Sequence, residues 1–206
     1  MSEFPAFRKI PRLYREVIVT EKIDGTNGLV HIEPCLMGED GGLVAPLHAF
    51  TVVDGMAVSA GSRKRWLAPG KEDNFGFAGW VSDNAEDLVR VLGQGMHYGE
   101  WWGAGIQRRY GLDHKRFSLF NTSRWTPGGL FEAGAPGELD VVPVLEVGTG
   151  EWVVEEALAK LRDVGSFAAP TFRNPEGVVV YHTAANAYFK ATLDDDGQPK
   201  GAANAA

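Results

Sequence analysis

Glu16-Val17-Ile18-Val19-Thr20-Glu21-Lys22, followed after one residue by Asp24-Gly25-Thr26-Asn27, is the stretch on which the reading of this chain turns. The first segment is rich in β-branched residues and predicts a strand. Asp24 to Asn27 is a turn signal, and residues 29–33 resume an apolar, strand-like run. Outward from there, Pro34, Gly38, Gly41 and Gly42 mark a loop, and residues 43–53 and 56–60 read as further strands. Residues 71–79 read as irregular. Asp83 and Glu86 have capping-box spacing ahead of Leu88, Val89, Val91 and Leu92, which predicts a helix ending near Gly93. Strands are expected at 96–102, 116–120 and 141–147, with a surface loop over 126–137. Thr149 is placed to cap a second helix over 151–164, where Val153, Val154, Ala157, Leu158 and Leu161 recur at helical spacing. Residues 178–181 and 188–193 read as a hairpin. Many strands with two helices imply an α+β fold dominated by antiparallel sheet.

The length of 206 residues suits one domain over 1–193, with 194–206 as a disordered tail. No apolar run approaches the roughly 20 residues that cross a bilayer. The N-terminus lacks a secretion signal. Cys35 is the single cysteine, and no Cys/His run has zinc spacing. These features point to a reducing cytoplasm. A net charge of −7 argues against indiscriminate nucleic-acid binding. The positive charge is nonetheless clustered, at Arg8, Lys9, Arg12 and Arg15, at Arg63, Lys64 and Arg65, and at Arg108, Arg109, Lys115 and Arg116. A local basic surface is therefore expected on an acidic protein.

Lys22 ends a strand just before a tight turn, where its amine can project into solvent-accessible space. An amine attacks phosphorus only when unprotonated. From an ordinary pKa of about 10.4, neutrality near pH 7 costs roughly 4.6 kcal/mol, which a site must offset. Gly25 would permit close backbone approach to phosphate.

Further segments resemble those of the covalent nucleotidyltransferases, the superfamily of polynucleotide ligases and mRNA capping enzymes. Glu21-Lys22-Ile23-Asp24-Gly25-Thr26-Asn27 resembles the nucleophile motif, and its Gly-Thr-Asn ending resembles that of double-strand-sealing RNA ligases. Ser62-Arg63 resembles the Ser-Arg pair that follows. Tyr98-Gly99-Glu100, continuing to Gly103-Ala104-Gly105-Ile106-Gln107, is similar to the RNA-ligase Gly-Glu motif. Phe120-Asn121 stands where family members have Phe-Asp. Pro175-Glu176-Gly177-Val178 and Tyr188-Phe189-Lys190-Ala191-Thr192 resemble the last two motifs, with Thr192 where a second lysine often stands.

The resemblance implies an adenylyltransferase (ATP-grasp-like nucleotidyltransferase) domain and an ATP-dependent RNA ligase of phage-like, minimal length. Lys22 would be the catalytic nucleophile that takes AMP. Glu21, Lys22, Ile23, Asn27, Arg63, Glu100, Phe120, Glu176 and Lys190 would bind ATP. Within that set, Glu100 would hold the ribose hydroxyls, Phe120 would stack on adenine, and Glu176 would meet Mg²⁺ or Mn²⁺. Arg63, Arg108 and Arg109 would contact RNA ends, in a nicked duplex or a single strand. No C-terminal OB-fold domain fits the length, so an accessory protein is one expectation. A DNA ligase, a capping-type enzyme and a non-catalytic nucleic-acid-binding relative remain alternatives.

Overall fold

In β1 (Val17–Lys22), Val17, Val19 and Glu21 are buried while Ile18, Thr20 and Lys22 are half-buried, the period-2 pattern of a strand covered on one face. The computed structural model describes residues 14–70 and 73–193. Arg8, Lys9, Arg12 and the expected tail at 194–206 lie outside the described residues. The chain forms two units. One runs up to Ile23 and resumes at Pro143, and the other is Asp24–Val142. The chain thus passes from the first to the second inside the lysine motif and returns at Val142–Pro143.

The first unit is built on a four-stranded antiparallel sheet in the order β11-β1-β12-β13. Its other strands are β11 (Val144–Gly148), β12 (Gly177–His182) and β13 (Ala187–Thr192). Helix α4 (Trp152–Val164) covers one face. Val153, Ala157 and Leu161, four residues apart, pack on Val17, Val19, Leu145, Val178 and Val180. The other face carries the alternate residues.

The second unit holds a seven-stranded sheet in the order β10-β9-β8-β2-β6-β5, with β7 also paired to β6. These are β2 (Thr26–Pro34), β5 (Thr51–Val53), β6 (Met56–Gly61), β7 (Trp66–Leu67), β8 (Gly95–Gly103), β9 (Lys115–Leu119) and β10 (Leu139–Val141). A small ladder pairs β3 (Leu36–Met37) with β4 (Leu43–Val44). The pairings are antiparallel except β9 with β10, which is parallel. Helices α1 (Phe77–Asp83) and α2 (Ala85–Leu92) pack on one face, burying Phe77, Val81, Leu88 and Leu92 against Val30, Ile32, Val58, Trp101 and Phe117. The ring of Phe77 lies 4.9 Å from that of Phe117 and 5.5 Å from that of Trp101. Helix α3 (Pro127–Glu132) follows β9. Among the described residues no helix is long and apolar enough to cross a membrane.

Antiparallel sheets do dominate, as expected. Several local expectations give way, among them the irregular stretch at 71–79, whose end opens helix α1, and the caps at Asp83 and Thr149, since the N-caps are Asn84 and Glu151. Thr26 and Asn27 are not in a turn; they open β2, whose partners are β6 and β8, so β1 and β2 do not form a hairpin. Residues 141–147 are not one strand. Pro143 has no N–H to donate, and at that point the chain leaves β10 of one sheet for β11 of the other. Residues 126–137 contain α3, which Thr126 caps by accepting from the Gly129 N–H at 3.1 Å, with Pro127 in the first turn.

Phe117 is fully buried among Phe77, Trp80 and Trp101. We expect Phe117→Ala to cost about 3–5 kcal/mol, read as a lower denaturation midpoint with an unchanged m-value.

Candidate functional site

Alternation along β1 sends Glu21 and Lys22 to opposite faces. Glu21 points to the α4 side and is 1% exposed. Its Oε1 accepts from Ser166 Oγ at 2.6 Å, and its Oε2 accepts from the N–H groups of Phe167 and Ala168 at 2.7 and 2.9 Å. Ser166 Oγ in turn accepts from the Ala169 N–H. One carboxylate therefore gathers the 166–169 turn onto β1. Burial pushes the Glu21 carboxyl above the usual glutamate range, and the three hydrogen bonds offset this only in part.

Lys22 lies on the face opposite α4. Its Nζ is 2.5 Å from Glu176 Oε2, with both side chains about one-fifth exposed. That oxygen is buried and meets no donor in hydrogen-bond geometry, so the contact is an ion pair without an aligned hydrogen bond. Gly177 stands directly opposite Lys22 in β12, and Thr192 stands opposite Gly177 in β13. A Cβ on Gly177 would fall 2.2 Å from the Ala191 carbonyl, and its φ is +151°, so a side chain is excluded beside Lys22. The next row of the same face is Thr20, Val179 and Lys190. Lys190 thus shares Lys22's face, two strands away, or about 10 Å laterally. It is exposed.

Asp24 begins the second unit. Its backbone N–H donates to Tyr110 Oη at 2.8 Å, and its Oδ2 accepts from Arg108 Nε at 3.2 Å. Gly25 has its missing side chain against protein, with the Trp101 carbonyl 2.5 Å from where a Cβ would stand. The tight approach at this glycine is to β8. Asn27 lies opposite Glu100, and its Nδ2 donates to Glu100 Oε2 at 3.1 Å. Glu100 lies opposite Ser118, which accepts from Trp102 Nε1 at 2.9 Å. The ladder continues one step past β9, where the Phe120 N–H donates to Tyr98 O at 2.9 Å. By alternation, Asn27, Glu100, Ser118 and Phe120 share the face opposite α1 and α2. Phe120 is 38% exposed and Tyr98 54%, so flat aromatic surface lies open near the carboxylate.

The RNA ligase profile matches residues 15–192. This chain belongs to the RNA ligase family. No curated protein matches it. Among solved structures, forms of the Naegleria gruberi RNA ligase are similar in fold. A mutant with ATP and Mn aligns at 17% identity and a TM-score of 0.56, covering 88% of this chain and 51% of that one. A mutant with AMP and Mn aligns at 18% and 0.57, covering 89% and 51%. The form with PPi aligns at 18% and 0.56, with the same coverage. The chain spans about half the length of the structures it matches.

Against the RNA ligase motifs, the structure sorts the expected residues into groups. Lys22 and Lys190 share one face of the first sheet, and Glu176, just before β12, reaches Lys22. Asn27, Glu100 and Phe120 share one face of the second. The Glu21 and Ile23 side chains are buried. Arg63 is exposed at the tip of the β6–β7 turn, which closes with the Ser62 N–H on the Arg65 carbonyl. The third basic cluster is not uniformly open. Arg109 is exposed, but Arg108 is engaged by Asp24, and Arg116 pairs with Asp140 at 2.7 Å and lies over the Trp102 ring. A depression of about 530 Å³ near Trp80 and Lys115 is lined by none of the residues expected to bind ATP or RNA, and its carboxylates Asp73, Asp83, Asp113 and Glu138 disfavour a polyphosphate. Sequence reasoning missed Tyr110, Ser166 and the 166–169 turn. No local signal marks them, since each acts on a motif residue at least 86 positions away.

The Glu21 shift fixes a sign. The folded protein holds this proton more tightly than the unfolded chain does. The stability it contributes is complete below the ordinary glutamate pKa and is lost as pH rises through the raised value. The stability of wild type minus that of Glu21→Gln should therefore fall as pH rises above the ordinary glutamate pKa. A parallel pair of urea titrations across mildly acidic pH would check this, and a flat difference would show that Glu21 titrates normally.

Proposed function

We propose that the protein is an ATP-dependent RNA ligase in which Lys22 carries AMP. The observation that supports this most is the Lys22–Glu176 pair at a strand end whose facing position, Gly177, admits no side chain. A primary amine is thereby presented on the sheet face opposite α4, with Lys190 on the same face as a second cation. ATP is the substrate. Glu100, an acceptor-only carboxylate, suits the two donors of a ribose diol, and Asn27 fixes its orientation. Phe120 offers its ring to adenine. Lys190 attracts the α-phosphate.

In the first step, the Lys22 nitrogen gives its proton to solvent and leaves its contact with Glu176. Its lone pair attacks the α-phosphorus, a P–N bond forms, and the bond to the β-phosphate oxygen breaks to release pyrophosphate. In the second, an RNA 5′-phosphate oxygen displaces the lysine, and AMP passes to the RNA end. In the third, a 3′-hydroxyl displaces AMP and seals the strand. Glu176 Oε2, a hard oxygen that is buried without a hydrogen-bond donor, fits a Mg²⁺ or Mn²⁺ ligand. Such an ion, when bound, supplies charge neutralisation at the phosphates. Exposed Arg63 and Arg109 are candidate contacts to RNA phosphates, at nicked duplex or single-stranded ends. For Glu21 we favour a positioning role, because its carboxylate is consumed by the 166–169 turn.

The test is covalent labelling. Incubated with Mg²⁺ and α-labelled ATP and then denatured, the protein should retain label that Lys22→Ala abolishes. Absence of an adduct with ATP or GTP, in Mg²⁺ or Mn²⁺, would favour a non-catalytic nucleic-acid-binding relative. An adduct formed from GTP alone would favour a capping-type enzyme. Sealing of nicked DNA in preference to nicked RNA would favour a DNA ligase. Glu100→Ala should weaken ATP use through a lost charge-assisted bond, lowering the labelling rate at limiting ATP by roughly tenfold or more. Far-UV dichroism should remain unchanged.

A further inference from the structure

His31, Glu33 and His48 form a cluster that the ligase reading does not use. His31 and Glu33 are alternate residues of β2, on the same sheet face as Asn27. At about 3.3 Å per residue, His31 is some 13 Å along the strand from Asn27. His48 comes from the segment that joins β4 to β5. Glu33 Oε1 lies 3.4 Å from His31 Nδ1 and 3.2 Å from His48 Nε2. One ligand atom from each of the three lies within 4.8 Å of the others.

The two separations from Glu33 match a coordination sphere. Two donors each about 2.0–2.1 Å from an ion, at the tetrahedral angle, stand about 3.4 Å apart. The His31 contact is not a hydrogen bond, because its Nδ1 is buried with no hydrogen-bond partner. Ser59 stands directly opposite His31 in β6, and its Oγ is also buried without a partner. Two neighbouring buried polar atoms left unmatched call for a ligand at this spot. The His48 ring is stacked on Trp66, with centroids 3.9 Å apart and planes 15° apart, which fixes the direction of its nitrogens. Trp66 also stacks on His31 at 5.7 Å.

We propose that His31, Glu33 and His48 bind one zinc-class divalent ion, with the fourth position left to water or a small ligand. Two imidazole nitrogens and one carboxylate suit a borderline ion, whereas Mg²⁺ prefers an all-oxygen set. The ion would clip the 45–50 segment to β2, beside a depression of about 240 Å³ lined by Leu47, Phe50 and Trp66. This site is separate from the ion expected with ATP at Glu176.

The experiment uses the full chain, stripped of metal by a chelator and dialysed without nucleotide. Zn²⁺ is titrated against a chromophoric chelator, and Co²⁺ is added as a spectroscopic probe. The expected results are one equivalent of Zn²⁺, an intense visible Co²⁺ spectrum of low coordination number, and a rise in Tm of several degrees. His48→Ala and Glu33→Ala should each weaken Zn²⁺ by at least about tenfold and abolish the Tm rise. Lys22→Ala and Glu176→Ala should bind Zn²⁺ as wild type does, so failure here is distinct from failure of the ligase reading. His48 lies outside the sheets, so its variant remains informative if His31→Ala does not fold. No binding at micromolar Zn²⁺ would overturn the proposal, with water as the remaining partner for His31 and Ser59. So would Zn²⁺ binding that survives His48→Ala but is lost in Glu176→Ala.

Discussion

The buried carboxylate of Glu21 is the constraint on which the lysine end of this protein depends. A charge-capable group is placed under helix α4, where three donors from one short turn converge on it. Leaving those donors unmatched would cost about 1–3 kcal/mol each. The turn, the strand and the helix packing are thus mutually enforced. Because strand residues alternate, fixing Glu21 inward fixes Lys22 outward. The orientation of the Lys22 side chain is thus set by its neighbour in the strand.

The second unit uses the same device at larger scale. Its helices cover one face of the sheet, and the functional candidates stand on the other, Asn27 and Glu100 paired on adjacent strands and Phe120 one residue past the end of β9. Asn27 holds Glu100, and Trp102 holds Ser118. Groups mounted on strands and fixed by neighbours keep their geometry better than groups on loops. The exception is the 104–112 segment, where Gln107, Arg109 and Tyr110 all adopt positive φ. Such backbone is costly for residues with side chains, and here it delivers the Tyr110 hydroxyl to the Asp24 N–H.

What the sequence reveals follows from the range of each interaction. The β-branched runs of β1 and β12 and the apolar stripe of α4 are local and were legible. Apart from the β12–β13 hairpin, strand partners were not, since nothing in Asp24-Gly25-Thr26-Asn27 says that β1 and β2 belong to different sheets. Helix α1 was missed because it is seven residues long, contains Gly79 and has no side-chain cap. Burial of Phe77 holds it instead. The helix starts shifted slightly, to caps Asn84 and Glu151, neither of which makes a side-chain cap bond. Lys22, Glu100 and Glu176 are singled out by ordered motifs. The engagement of Arg108 and Arg116 by carboxylates was not legible, because a charge cluster in sequence carries no record of its partners. The His31–Glu33–His48 cluster was invisible for a related reason. Two of its members meet through the pleat and the third through a loop, which gives none of the spacings by which zinc sites are recognised.

The chain leaves the first unit at Ile23 and returns only at Pro143, and this has a consequence for synthesis. β1 has no pairing partner until residues 144–148 and 177–182 exist, and the Glu21 carboxylate has no donors until 166–168 do. The whole of Asp24–Val142 can collapse on local contacts while β1 waits. Long-range closure of this kind is slow relative to local folding. The strand that bears the lysine is therefore among the last to be fixed. A nascent or truncated chain would display Lys22 without its geometry, and the Lys22 amine takes its place only after residues 166–182 have been made.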